Sequence, residues 1–329
     1  MFKQIPDKLI RWMLQSSEKK RGAGGDSGNA LSSATAEAFS GDSYNYYRQL
    51  TAEHSKNFLL LDVKSLPRSG LHHLKKVLSG ILGDHFSFCE WYQEPGCCRK
   101  MPCSNTSYVR YAADKHVFRI RMTKSHDFAT TDRAYPTSET LRRLVLIREP
   151  IYQLTSWFAL DELNRNRALL AEDGIKMQKI WLKHEPEVVA RAYALLDASY
   201  QAPTKDFLER WVGKKGKYVE AFMLKWIEPS HTKPHCLNTE VVFYDDLPVY
   251  IRRLLERIDG NLQHEARLKI AKYIENQGAQ FRMRSHPFEV GSERISQFIA
   301  ANSDLFQREN ERLMPLFDKA RLLSQIRDR

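Results

Sequence analysis

Three short segments bring together residue types that hold anions or move protons. Pro67-Arg68-Ser69-Gly70 supplies a fixed positive charge, a hydroxyl and a residue without Cβ, so that backbone amides can close around an anion. Lys124-Ser125-His126 sets an ammonium beside an imidazole, a pair suited to stabilising negative charge and accepting a proton. Arg148-Glu149-Pro150 places a guanidinium fork at a helix start, and the Ser156 hydroxyl follows two helical turns on, within reach of the same phosphate. Taken singly, each has an ordinary explanation: a turn, a packed histidine, an ion-paired arginine. Taken together they describe a cradle for a multiply charged anion. The first segment is not a Walker A loop, because the spacing GxxxxGK[ST] is absent.

The flanking sequence predicts the elements that must position these residues. Phe58 to Val63 is a short, nearly continuous apolar run, as expected of a strand buried on both faces, and Leu71 to Leu82 beyond the first segment has helical periodicity. The same order recurs at Leu144 to Ile147, which runs through Arg148 and Pro150 into a helix containing Leu154, Trp157 and Phe158; proline belongs in a first helical turn. Val117 to Met122 and Glu240 to Tyr244 are two more strands, the former leading into Lys124-Ser125-His126 as a loop. From Pro248 onward the pattern is helical, and between Trp157 and Tyr218 mixed charge with helical spacing predicts a helical insertion over the site. Strands alternating with helices predict an α/β fold, a P-loop-like parallel sheet flanked by helices on both faces. In such sheets ligands bind outside the carboxyl ends of the strands, where all three segments fall.

The 329 residues suit one catalytic domain, taken as 46–329, preceded at 1–45 by an amphipathic segment and a Gly/Ser/Ala-rich linker. Within residues 1–16, Phe2, Ile5, Leu9, Trp12 and Met13 alternate with Lys3, Lys8 and Arg11, which allows peripheral membrane contact, although a short helix docked on its own protein is the preferred reading of the pattern. A formal charge of +11 draws anions without choosing among nucleic acid, membrane and small ligand. The basic residues are spread along the chain, which speaks against nucleic acid as a partner. No apolar run is long enough to span a membrane, and no signal peptide is visible, so a soluble cytoplasmic protein is expected. The five cysteines, Cys89, Cys97, Cys98, Cys103 and Cys236, contain no CxxC pair, and a reduced setting without metal is the expectation.

At this point the segments resemble those of the sulfotransferase family that uses 3′-phosphoadenosine 5′-phosphosulfate. Pro67-Arg68-Ser69-Gly70 resembles its 5′-phosphosulfate loop, and Arg148-Glu149-Pro150 with Ser156 resembles its 3′-phosphate motif. Lys124-Ser125-His126 is similar to the Lys-Thr-His strand end that carries the family's catalytic histidine, and Tyr244-Asp245-Asp246-Leu247 to the segment whose tyrosine lies near the adenine. Val290-Gly291 followed by Phe298 is similar to its C-terminal glycine-rich loop. Where many cytosolic members have two threonines and a tryptophan after the loop glycine, this chain has Leu71, His72 and His73. It also lacks the Arg-Lys-Gly triplet of the C-terminal loop, with Arg282, Arg284 and Arg294 nearby.

The resemblance implies a donor held by Pro67, Arg68, Ser69, Gly70, Leu71, His72, His73, Arg148, Ser156, Tyr244 and Gly291, with Arg68, Lys124 and His126 as the catalytic residues. It implies His126 as general base in preference to His72 or His73, no metal, and an acceptor hydroxyl or amine on a small metabolite, lipid or saccharide. The competing expectations are a basic nucleic-acid- or membrane-binding protein without catalysis, a kinase-like nucleotide-binding protein, and a scaffold that binds nucleotide without turnover.

Overall fold

The computed structural model describes residues 58–90, 119–126, 141–166, 186–232, 239–259, 264, 267–269, 271–272 and 291–327. The expected N-terminal segment at 1–45, and Cys97, Cys98, Cys103 and Cys236, lie outside them. Strand β1 (Phe58–Ser65) leads through a five-residue loop into α1 (Leu71–Leu82) and, past a short 3-10 turn, into β2 (Phe86–Glu90). Next come β3 (Arg119–His126), β4 (Leu141–Ile147) and α2 (Pro150–Arg165). They are followed by α3 (Pro186–Ser199), α4 (Lys205–Thr232) and β5 (Thr239–Phe243). A 3-10 turn at Tyr244–Asp246 opens into α5 (Leu247–Asp259), and α6 (Glu293–Ala301) and α7 (Ser303–Arg327) follow.

The five strands form one sheet in the order β2-β3-β1-β4-β5, every neighbouring pair parallel, as the α/β expectation requires. Side-chain alternation divides the core in two. Leu59, Leu61, Val63, Met122, Leu144 and Leu146 face α1 and α5, meeting Leu74, Leu78, Ile251 and Leu254. Val145, Ile147 and Phe243 face α2, α4 and α7, meeting Leu154, Phe158, Phe222, Trp226, Phe306 and Phe317. The stretch expected as an insertion is helical where described, and α4 packs into this second core; residues 167–185 lie outside the described residues.

The helix after β1 therefore covers one face and the helix after β4 the other. Adjacent strands whose outgoing chains part to opposite faces leave a crevice at their carboxyl ends, where parallel sheets bind ligands. The register puts this crevice between the loop after Ser65 and the residues after Ile147.

Two strand boundaries differ from the sequence expectation for a physical reason. β4 begins at Leu141, ahead of the apolar run, because Arg143 is not a solvent-facing charge: its Nε donates to Asp62 Oδ2 of β1 at 3.3 Å, and both side chains are fully buried. β3 continues past Met122 to His126, pairing with β1 as far as Ser65 and with Glu90 of β2 at Lys124. Lys124-Ser125-His126 is thus the end of a strand and not a loop. The edge strand β2 lies where no strand was expected, and its Cys89 is buried. Among the described residues no helix is long and apolar enough to cross a membrane, and no group of three His, Cys, Asp or Glu side chains is placed to hold a metal.

Candidate anion-binding site

The loop after β1 has an unusual backbone. Arg68 has φ 69° and Gly70 φ 98°, positive values on either side of Ser69, an alternation that turns successive amides into a concave nest. The positive φ is free for glycine, but for Arg68 it costs on the order of 1–2 kcal/mol. The surrounding bonds offset it. Ser69 Oγ donates to the Leu66 carbonyl at 2.8 Å, and Gln153 Nε2 donates both to the Pro67 carbonyl and to Ser69 Oγ, each at 3.1 Å. Arg148 Nη1 donates to the Arg68 carbonyl at 3.2 Å. Ser69 is only 1% exposed. Its hydroxyl is held inside the loop, and its amide also donates to the Leu66 carbonyl at 3.4 Å.

Gly70 is required for a second reason. A Cβ there would run into the ring of Tyr244, so the tyrosine lies flush on the start of α1. That helix has no side-chain cap and no acidic residue in its first turn, and its first intrahelical bond runs from Leu74 N to the Gly70 carbonyl. Its own first turn thus sets no carboxylate against the N-terminal dipole, an arrangement suited to phosphate.

Arg148 and Tyr244 meet because Ile147 and Phe243 are register partners and each is followed directly by the functional residue. The Arg148 guanidinium lies 4.8 Å from the centre of the Tyr244 ring, and its Nη1 also donates to Ser156 Oγ at 3.4 Å. Arg148 and Ser156, expected to reach one phosphate, thus lie within hydrogen-bond distance of each other. Next to them burial, with a contribution from Asp245, pushes the Glu149 carboxyl up, and burial raises Asp245 as well.

Lys124, 4% exposed, stands beside Val63 of β1, and its Nζ lies 3.1 Å from His72 Nε2. An ammonium can only donate, so in this contact His72 Nε2 is the acceptor. His73 lies edge-on to Tyr244 at 6.2 Å, and burial, with Lys76 adding, lowers its pKa from the ordinary value. The backbone of His126 pairs with Ser65, immediately before the loop. The side chains of Ser125 and His126 lie outside the described residues.

Gly291 packs on the Tyr193 ring of α3, which a Cβ would penetrate. The adjoining start of α6 is already filled: Asp197 of α3 accepts from the Ser292 hydroxyl and from the amides of Glu293 (3.0 Å) and Arg294 (3.2 Å), while Ser292 Oγ accepts from Ile295 N. A carboxylate of α3 thus takes the amides of Glu293 and Arg294, which follow Gly291. Arg282 and Arg284 lie outside the described residues. The sequence reading missed Gln153; the signal was an amide side chain in the otherwise largely apolar start of α2.

Fold and site define a parallel α/β protein with a candidate anion cradle at its topological switch point. No protein-family model matches the chain, and no curated protein matches it. A solved structure, mouse sulfotransferase SULT7A1 complexed with PAP, is similar to it at 16% identity, covering 83% of this chain and 89% of its own, with a TM-score of 0.38. That likeness is remote, and the chemistry of the strand ends stands on the residues themselves.

Proposed function

We propose that the protein is a sulfotransferase using 3′-phosphoadenosine 5′-phosphosulfate. The observation that carries this reading is the Arg148 guanidinium, which joins the Arg68 loop, Ser156 and Tyr244 at one crevice. Two phosphate cradles are thereby spaced across one helix start, beside an aromatic ring able to meet a base. The residues fit such a donor: the nest at Arg68 and Gly70 and the open start of α1 suit the 5′ end, while Arg148 and Ser156 suit the 3′-phosphate. A kinase would place a Walker lysine in this loop, which the chain does not have.

The donor supplies a sulfuryl group whose bridging S–O bond breaks as an acceptor oxygen or nitrogen bonds to sulfur, with the electron pair leaving on the 5′-phosphate. Arg68 and Lys124 hold the charge on the sulfuryl and bridging oxygens, the role preorganised cations serve best. His126 takes the acceptor's proton, a step typically worth about 10²- to 10⁴-fold. The acceptor is a hydroxyl or amine of a small metabolite, lipid or saccharide.

Calorimetric titration tests the donor site. The bisphosphate product 3′-phosphoadenosine 5′-phosphate should bind with micromolar affinity and adenosine 5′-phosphate far more weakly. Arg148→Ala should cost about tenfold to a hundredfold, as expected for hydrogen bonds to a charged group. In the same series His126→Ala should retain nucleotide affinity while losing sulfuryl transfer. Equal affinity for the two nucleotides would remove the reading and bring the basic binding protein without catalysis forward.

A further inference from the structure

Gln153 is a buried polar side chain to which the proposed reaction gives no task. It is 2% exposed and lies on α2 between Arg148 and Ser156. Its Nε2 reaches across the switch point to the loop after β1, donating to the Pro67 carbonyl and to Ser69 Oγ, and Ser69 passes the chain on to the Leu66 carbonyl. Three consecutive carbonyls of this loop are therefore held: Leu66 by Ser69, Pro67 by Gln153 and Arg68 by Arg148. Because a trans peptide is planar, holding its carbonyl also fixes the direction of the following N–H. The two donors, Gln153 on α2 and Arg148 just ahead of it, thus set the peptide planes around Arg68, the residue with the unfavourable positive φ.

A loop with positive φ at a non-glycine residue has other conformations open to it, and only an over-determined environment keeps the nest formed before an anion arrives. One clamp stands on the first turn of α2 and the other in the two-residue connection that leads into it from β4, and the Arg148–Ser156 hydrogen bond joins that connection to the same helix. The shape of the first cradle is consequently tied to the position of the second.

We propose that Gln153 is a positioning residue that preorganises the Leu66–Gly70 loop and locks it to the Arg148 subsite, so that the site selects nucleoside 3′,5′-bisphosphates as a class. This deepens the sulfotransferase reading and, for the bisphosphate preference, rests on it.

The test is a titration of wild type, Gln153→Leu, Ser69→Ala and the double variant with three probes: 3′-phosphoadenosine 5′-phosphate, adenosine 5′-phosphate and adenosine 3′-phosphate. Gln153→Leu should weaken both ligands that carry a 5′-phosphate by about fivefold to tenfold, the loss expected of a broken hydrogen-bonded brace, and leave adenosine 3′-phosphate within about twofold. Ser69→Ala, the milder change, should show the same pattern, and the double variant should lose little more than either single one, because the two groups form one chain of bonds. Equal weakening of all three probes would reduce Gln153 to general structural support and overturn the proposal, as would additive losses. A wild type that binds adenosine 5′-phosphate as well as the bisphosphate would remove the sulfotransferase reading and the bisphosphate preference. In that case a loss on adenosine 5′-phosphate confined to the two brace variants would still uphold the loop role.

Discussion

His73 stands three residues after Gly70, with its ring edge against Tyr244 and its body withdrawn from water. Burial disfavours the imidazolium and the charge of Lys76 adds to this, so the folded protein binds the proton less readily than the unfolded chain. The sign follows from linkage. Nothing is lost at pH values above the ordinary histidine value of 6.5, where the ring is neutral in both states, and stability declines as the pH falls through that value. Glu149 and Asp245, whose carboxyls burial raises, act in the opposite sense: they favour the folded state as the pH falls toward the carboxylate range. Comparing wild type with His73→Gln separates the two. The variant's melting temperature should fall less steeply from pH 7 to pH 5, and an unchanged slope would show that His73 does not titrate in this window.

Among the elements, the helix starts divide by how their amides are used. α1 has no side-chain cap and no acidic first turn, whereas α6 is closed by Ser292 and by Asp197 from α3. The same helix-end physics thus serves tertiary structure at α6, while at α1 the proposed donor would take that role. Ser292→Ala should therefore act on stability alone. Loss of the cap costs about 1 kcal/mol, visible as a lower denaturation midpoint, while affinity for 3′-phosphoadenosine 5′-phosphate should stay at the wild-type value. A nucleotide-binding defect in this variant would return the Gly291 segment to the donor site.

For the molecule as a whole, the crevice exists only because β1 and β4 are neighbours, and a buried charge pair joins them. Asp62 and Arg143 face each other in register, Lys64 lies 3.4 Å from the same carboxylate, and the guanidinium lies 5.2 Å from the ring centre of Trp226 on α4. Such a pair adds little over apolar packing, but removing one partner is costly because the other charge stays buried. Asp62→Asn takes away the carboxylate that both cations share and should lower unfolding stability by about 3–5 kcal/mol in urea titration. Replacing the pair together, Asp62→Leu with Arg143→Met, should recover part of the loss. A single variant with a wild-type midpoint would mean that the pair does not secure the sheet.

Much of the site was legible without the fold because its signals are local. Apolar runs that end in Pro-Arg-Ser-Gly and in Arg-Glu-Pro mark strand, loop and helix within about fifteen residues, and helical spacing alone brings Ser156 under Arg148. Strand order is not local. The chain does not state that β3 inserts between β2 and β1, or that Ile147 pairs with Phe243, and these choices bring Lys124 to His72 and Arg148 to Tyr244. Nor does it state that Arg143 lies beside Asp62, or that the Ser69 hydroxyl accepts from Gln153, 84 residues away. The residue types, their spacing and the strand–helix rhythm were set by the sequence. Which side chains face the anion and which brace the loop was decided by pairing between distant segments, where hydrogen bonds form across the sheet and no local pattern encodes the partner.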